Sequence, residues 1–319
     1  MNRKAFAWAS FDWANSAFPT VVSTFVIAAY FTQGVAPDAA TGQAQWGWMQ
    51  TAAALCVALM SPLLGAIADL GGHRRALLAI CTLVTAVFTG LVWFAAPDPS
   101  WTVWVLVCVG LATVGFELGT VFYNSMLPEV CDAAQIGRVS GLAWGLGYAG
   151  GLACLAIALV VLVQPNPALF GLDRAASEHV RATALLVAAW TLVFGWPVLL
   201  MVPDAPGEKL PMGRAVTTCV AETKALVRGL PKRPDMLRFL VARIFYTDGL
   251  NTLFAFGAIF AAGVHGMDFE EILLFGIALN VTAGLGAAGF GLIDDRLGSK
   301  QTVMVALLAM IVLGAALLL

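Results

Sequence analysis

The sequence predicts an all-α membrane protein of nine spanning helices, and three observations predict it. Of 319 residues, 60% are hydrophobic and only 11% charged, where a soluble domain carries about a quarter charged. Mean hydropathy is +0.87. The apolar runs are continuous and of the ~20-residue length a spanning helix needs; alternating barrel strands are not seen. Lipid cannot satisfy free N–H and C=O groups, so such runs are helical. The same composition excludes a soluble enzyme, a nucleic-acid binder and a disordered regulator. A net charge of -2 offers no basic field for DNA or RNA.

The first span, 8–33, follows Arg3 and Lys4. It is too long for a signal peptide and more spans follow, so it is read as an uncleaved helix, tilted or starting in the interface. Spans two to six run over 46–69, 76–96, 101–123, 140–163 and 182–202. Ala36-Pro37-Asp38 and Ala96-Pro97-Asp98-Pro99 mark breaks between them. Span five carries Gly137, Gly141, Gly145, Gly147 and Gly151, small residues that let helices approach. The longest polar stretch is 204–236. In it Val216, Cys219, Val220, Leu226, Val227 and Leu230 recur near helical spacing opposite Arg214, Lys224 and Arg228. That is a helix on the inner membrane surface or a packed linker helix. Spans seven to nine follow over 237–261, 270–291 and 302–319. The last reaches Leu319 with no closing charge or aromatic belt, which predicts a truncated chain. The domains are thus a six-helix bundle (1–203), a cytoplasmic linker (204–236) and three helices of an incomplete second bundle (237–319).

Lysines and arginines set the orientation. With the N-terminus inside, fourteen of the seventeen fall in inside segments; Arg174 and Arg181 fall outside and Arg243 within a span. This predicts an integral, multi-pass protein with a cytoplasmic N-terminus, in a bacterial inner membrane. Six cysteines lie far apart without CxxC spacing, and three histidines are scattered. They read as core residues, so neither metal nor cofactor is expected. No GxxxxGK[ST] loop is present to drive transport with ATP.

Two segments repeat more than 200 residues apart. Gly65-Ala66-Ile67-Ala68-Asp69-Leu70-Gly71-Gly72-His73-Arg74 aligns with Gly291-Leu292-Ile293-Asp294-Asp295-Arg296-Leu297-Gly298-Ser299-Lys300, each after the second span of its half. Asp12-Trp13-Ala14-Asn15-Ser16-Ala17-Phe18 aligns with Asp248-Gly249-Leu250-Asn251-Thr252-Leu253-Phe254, each in the first span of its half. Two parallel repeats in one order are a transporter signature.

The 65–75 stretch resembles motif A of the major facilitator superfamily, with Leu70 where an arginine is usual and Arg296 keeping it in the second copy. Phe11-Asp12-Trp13-Ala14-Asn15-Ser16-Ala17-Phe18 resembles the YDWANSAF signature of its vacuole-effluxer-like branch, the autophagy-related permeases and their bacterial relatives. Tyr246-Thr247-Asp248-Gly249-Leu250-Asn251 is similar to that branch's seventh helix, and Tyr123-Asn124-Ser125-Met126-Leu127-Pro128-Glu129 to its fourth-helix exit. The resemblance implies a twelve-helix major facilitator fold working by alternating access, of which this chain would hold nine helices. Yeast members of the branch are linked to amino-acid export from the vacuole.

Charges inside spans are costly and default to function. Here they are Glu117, Arg243 and Asp248, with Asp12 near the inner end of span one. Asp12 and Asn15 share a helix face, as do Asp248 and Asn251. These six residues form the candidate substrate or proton site, a carboxylate there binding an ammonium or a coupling proton. Alternatives stay open: Asp12 as a helix cap, Arg243 as the structural counter-ion of Asp248 or Glu117, Glu117 as a buried hydrogen-bonding group. Gly65, Asp69, Gly72, Arg74, Arg75, Asp295, Arg296, Gly298 and Lys300 form the candidate gating motif. The resemblance implies that each aspartate faces the positive N-terminus of a helix from the other half. For Asp295 that is the start of span five, near 138–141.

The function expected is secondary transport of a small organic solute in the bilayer. Amino acids, efflux and proton coupling are the specific forms, and Asp248→Asn is expected to abolish flux while sparing insertion. The alternative is a non-transporting receptor or scaffold on the same fold. An intramembrane enzyme is not expected, because no HExxH, no GxGD and no nucleophile–base set lies in the spans. Oligomeric state is left open.

Overall fold

The computed structural model describes residues 3–204, 212–265 and 269–316. Side chains at 66, 69–71, 251–274, 276 and several positions of 212–226 lie outside that description, and with them Asp69, Cys219 and Asn251. The α-helices, in chain order, are α1 (Arg3–Asn15), α2 (Ile27–Tyr30), α3 (Ala39–Gly71), α4 (Arg74–Leu91), α5 (Thr102–Ser125), α6 (Leu127–Val130), α7 (Ile136–Ile157), α8 (Glu178–Met201), α9 (Met212–Gly229), α10 (Pro234–His265), α11 (Phe269–Leu297) and α12 (Ser299–Ala316). Among the described residues, eight helical segments are long and apolar enough to cross a membrane. The remaining expected span, 237–261, falls in α10, which is one continuous helix.

Several boundaries differ from the sequence reading, two of them with a clear local cause. Span one is not a single regular helix: wide π-type turns occupy Phe18–Phe25 and Phe31–Val35. Pro19 has no N–H to give, and the backbone widens so that Val26 N–H bonds Val21 O at 2.9 Å. Such bulges are frequent at functional sites. The second span begins at Ala39 rather than 46, because Asp38 caps it. The Asp38 carboxylate accepts from Thr41 N at 2.9 Å and from Thr41 Oγ1 at 2.6 Å. This satisfies orphan donors of the first turn and lets Gln43 and Gln45 be helical. Asp12, by contrast, lies in the interior of α1 and is not a cap.

Apolar side chains in lipid gain little from leaving it, so packing and hydrogen bonds hold such helices together. The first six spans pack that way around two clusters. One surrounds Phe18, Val22, Ile27, Phe31, Val109 and Val187. The other surrounds Trp8, Phe11, Leu78, Phe122, Tyr123 and Val198. Helix α9 lies against α3, and α11 lies along α7 and carries α12. Along α10, Arg243, Ile244, Phe245 and Asp248 are exposed.

Arg181 sits in the first turns of α8, not in a loop. It is buried, donates to Trp93 O at 2.7 Å and Ala176 O at 3.0 Å, and lies 5.2 Å over the Trp93 ring. It therefore joins the end of α4 to the start of α8.

Candidate functional site

The polar residues of span one, Asp12, Asn15, Ser16 and Thr20, recur at helical spacing and share one face. That face meets α5 and α7. Helix α7 comes this close because Gly150 stands where a Cβ would strike the backbone of Trp13. Asp12 is half-buried and Asn15 is 9% exposed. The Asn15 side-chain amide points to Thr120 Oγ1 at 3.5 Å, a long contact. Three residues on, the Tyr123 hydroxyl is fully buried and faces the Asp12 carboxyl without closing a well-formed hydrogen bond.

Tyr123 is held from both sides. Its ring stacks on Trp8 with centroids 4.2 Å apart, and on Phe11 at 5.0 Å. Trp8 Nε1 donates to Tyr123 O at 2.9 Å. The hydroxyl cannot swing away to find another acceptor, and a buried hydroxyl left without one is costly. The pair is thus a fixed donor beside a carboxyl, in apolar surroundings.

Glu117 lies one turn from Thr120 on α5 and is exposed. Gly115 and Gly119, on either side of it, instead face α4. Trp13 packs on Trp190 at 5.7 Å, with Trp190 Nε1 donating to Trp13 O at 3.1 Å. Among the described residues, neither Arg243 nor Asp248 is brought against Asp12, Asn15 or Glu117. The sequence reading missed Thr120 as the partner of Asn15 and Tyr123 as that of Asp12. Tyr123 had a signal, standing in the quoted fourth-helix exit.

The repeated glycine segments adopt matching turns at the ends of α3 and α11. Gly72 (φ 62°) ends α3 and Gly298 (φ 83°) ends α11, both in the left-handed region that favours glycine. Their surroundings differ. In the first copy, Arg74 donates to Ser125 O at 3.2 Å and lies 3.5 Å from Glu129. Arg75 N–H donates to Asp204 at 2.9 Å. In the second copy, Asp295 accepts from Arg138 N–H at 3.1 Å, at the N-terminus of α7. A carboxylate there meets the positive end of the helix dipole. Just above, Gly141 of α7 and Gly291 of α11 meet backbone to backbone. An open groove of about 310 Å³ runs along this contact, between Trp144, Phe290 and Asp294. Burial, with the Asp132 and Asp295 carboxylates, pushes the Cys131 thiol up. Arg296 and Lys300 are exposed.

Known proteins bear on this arrangement. The family model described as vacuole effluxer Atg22 like matches residues 48–317. An uncharacterized MFS-type transporter of Bacillus subtilis, YxiO, is 24% identical over 304 residues, covering 94% of this chain and 69% of its own. Autophagy-related protein 22-2 of Aspergillus clavatus is 26% identical over 183 residues, covering 54% of this chain and 29% of its own. The proton:xylose symporter XylE, a major facilitator protein solved with 6-bromo-6-deoxy-D-glucose, superposes with a TM-score of 0.65 at 13% identity. That match covers 92% of this chain and 69% of the XylE chain. The likeness to XylE shows the fold alone: an all-α, multi-pass membrane protein on the major facilitator scaffold. YxiO and XylE are described as transporters, not enzymes. The match over 48–317 shows that the chain belongs to the vacuole effluxer Atg22-like family of MFS-type transporters.

Proposed function

We propose that this chain carries a small organic solute across the bilayer by alternating access, with Asp12 at the centre of the substrate or proton site. The observation that carries the proposal is the half-buried Asp12 carboxyl facing the buried Tyr123 hydroxyl inside an apolar bundle. Such a group is expensive in lipid and is kept where it binds or moves charge. Asn15 and Thr120 extend the polar face, and Glu117 lies one turn away. Asp248, Asn251 and Arg243 are the second half's contribution, reached when the two faces close on each other.

Gly65, Asp69, Gly72, Arg74 and Arg75, with Asp295, Arg296, Gly298 and Lys300, form the inner gate. The contact of Asp295 with the start of α7 closes it, and its rupture opens it. Amino acids are the proposed solute class, outward the direction and a proton the coupling ion; the effluxer family and a carboxyl suited to an ammonium or a proton support this. The proposed setting is a bacterial inner membrane, N-terminus inside, on the fourteen-to-two charge asymmetry.

The test is flux of labelled amino acids in proteoliposomes, with and without a pH gradient. Accumulation that follows the gradient and vanishes in Asp12→Asn is the expected result. Equal accumulation by that variant, correctly inserted, removes Asp12 from the mechanism.

A further inference from the structure

Asp204 belongs neither to the repeated segments nor to the polar face of span one. It lies three residues beyond the end of α8, where the chain leaves the first six spans for the segment that joins the two halves. Its carboxylate accepts from Arg75 N–H at 2.9 Å, across 129 positions of sequence. That N–H is one of the donors a helix leaves unpaired in its first turn. The residue at the cap position of α4, His73, makes no side-chain cap. Asp204 thus supplies, from a distant part of the chain, the acceptor the local sequence lacks, and it carries the charge that a helix N-terminus favours.

The consequence reaches further than α4. Arg74 precedes Arg75, so fixing the start of α4 fixes where the Arg74 side chain begins. From there it reaches Ser125 O and Glu129. Ser125 ends α5, two residues after the tyrosine that faces Asp12. Glu129 lies in α6, two residues before Cys131. One connected set of contacts therefore runs from the start of the joining segment, through the first glycine turn, to the inner end of α5.

We propose that Asp204 is a positioning residue for the inner gate. It holds the first glycine turn so that Arg74 clasps the ends of α5 and α6. The proposal rests on the transport reading above, and its test is chosen so that the two fail separately.

The full chain, with native cysteines replaced, is reconstituted with spin labels at His73 and Gln135. In Asp204→Ala the label at His73 is expected to become more mobile and the distance distribution to broaden. Asp204→Asn, whose side-chain carbonyl still accepts from Arg75 N–H, restores most of the parent behaviour. Turnover is expected to fall roughly tenfold in Asp204→Ala with KM unchanged, the scale of one hydrogen bond to a charged group. A parent-like label pattern in Asp204→Ala, even with a lower Tm, overturns the proposal and leaves Asp204 a simple cap. Should that variant fail to fold, Asp204→Glu displaces the acceptor by one methylene and is judged on the same two outcomes. If the parent carries no tested solute, the transport reading falls, while the label comparison still decides Asp204.

Discussion

The two copies of the internal repeat share a sequence pattern and differ in what surrounds it. In the first half, Asp12 sits inside packed helices beside Tyr123, and the Gly72 turn is tied by Arg74 and Asp204 into its own half. In the second half, Asp248 is exposed along α10, and the Gly298 turn reaches across to α7 through Asp295. One pattern thus serves as an internal brace in one place and as a cross-half contact in the other. A repeat specifies backbone; the neighbours it meets decide its task.

The largest effect that would sharpen the contrast is expected at the two acids. Asp12→Asn and Asp248→Asn should each reduce flux at least tenfold, the loss of one or more charge-assisted contacts. They should separate in thermal stability. Asp12→Asn changes a half-buried group beside a buried hydroxyl and shifts Tm, whereas Asp248→Asn changes an exposed one and does not. Identical melting behaviour in detergent would break the distinction between a packed and an open copy.

Next is the seam between the halves. Gly141→Leu places a side chain where the α11 backbone already lies. Overpacking of this kind costs about 1–3 kcal/mol. Spin labels on the inner ends of α7 and α11 are expected to move apart, and flux to fall with them. Labels that keep their spacing would show that the two helices do not need this contact.

A smaller effect is expected from Asp295→Ala. It removes one hydrogen bond to Arg138 N–H at an exposed site, about 1 kcal/mol after screening, or roughly a fivefold shift of the gate toward open. Alkylation of a cysteine placed at Ser140 should quicken by a similar factor. The same change at Asp204 should leave that reagent rate less affected, because its contact stays within the first half.

The smallest effect lies in the loops that hold Asp38 and Asp98. Hydrogen bonds from Thr41 hold the Asp38 carboxyl below its ordinary value of 3.8, and those from Ser100 do the same for Asp98. A lowered folded pKa stabilises above the unfolded value and is lost as pH falls through the folded one. Asp38→Asn and Asp98→Asn should therefore lower Tm slightly at pH 5–8. The gap to the parent should close below about pH 4. A gap that persists in acid would mean that the charges contribute nothing at these caps.

Much of this was legible in the residues. Apolar length marked the spans, since each must satisfy its own backbone in lipid. The repeat marked both glycine turns, because a chain leaving a helix through a left-handed residue favours glycine. Asp12 and Asn15 announced themselves as polar groups on one helical face. Thr120 was silent, an ordinary polar residue of a span until its helix is laid beside α1. Asp204 was silent too, a lone acid after a helix whose partner N–H lies 129 residues away. Arg181 read as a loop charge because the start of α8 was placed four residues late.

By itself, then, the sequence determined the helices, their order, the two turns and the family, since these depend on composition, spacing and local backbone preference. The tertiary structure alone decided which acid meets which helix end, which glycine face of α7 takes α1 and which takes α11, and that Tyr123 is the group facing Asp12. Those choices rest on contacts between residues far apart in the chain, and no local rule of propensity or periodicity encodes them.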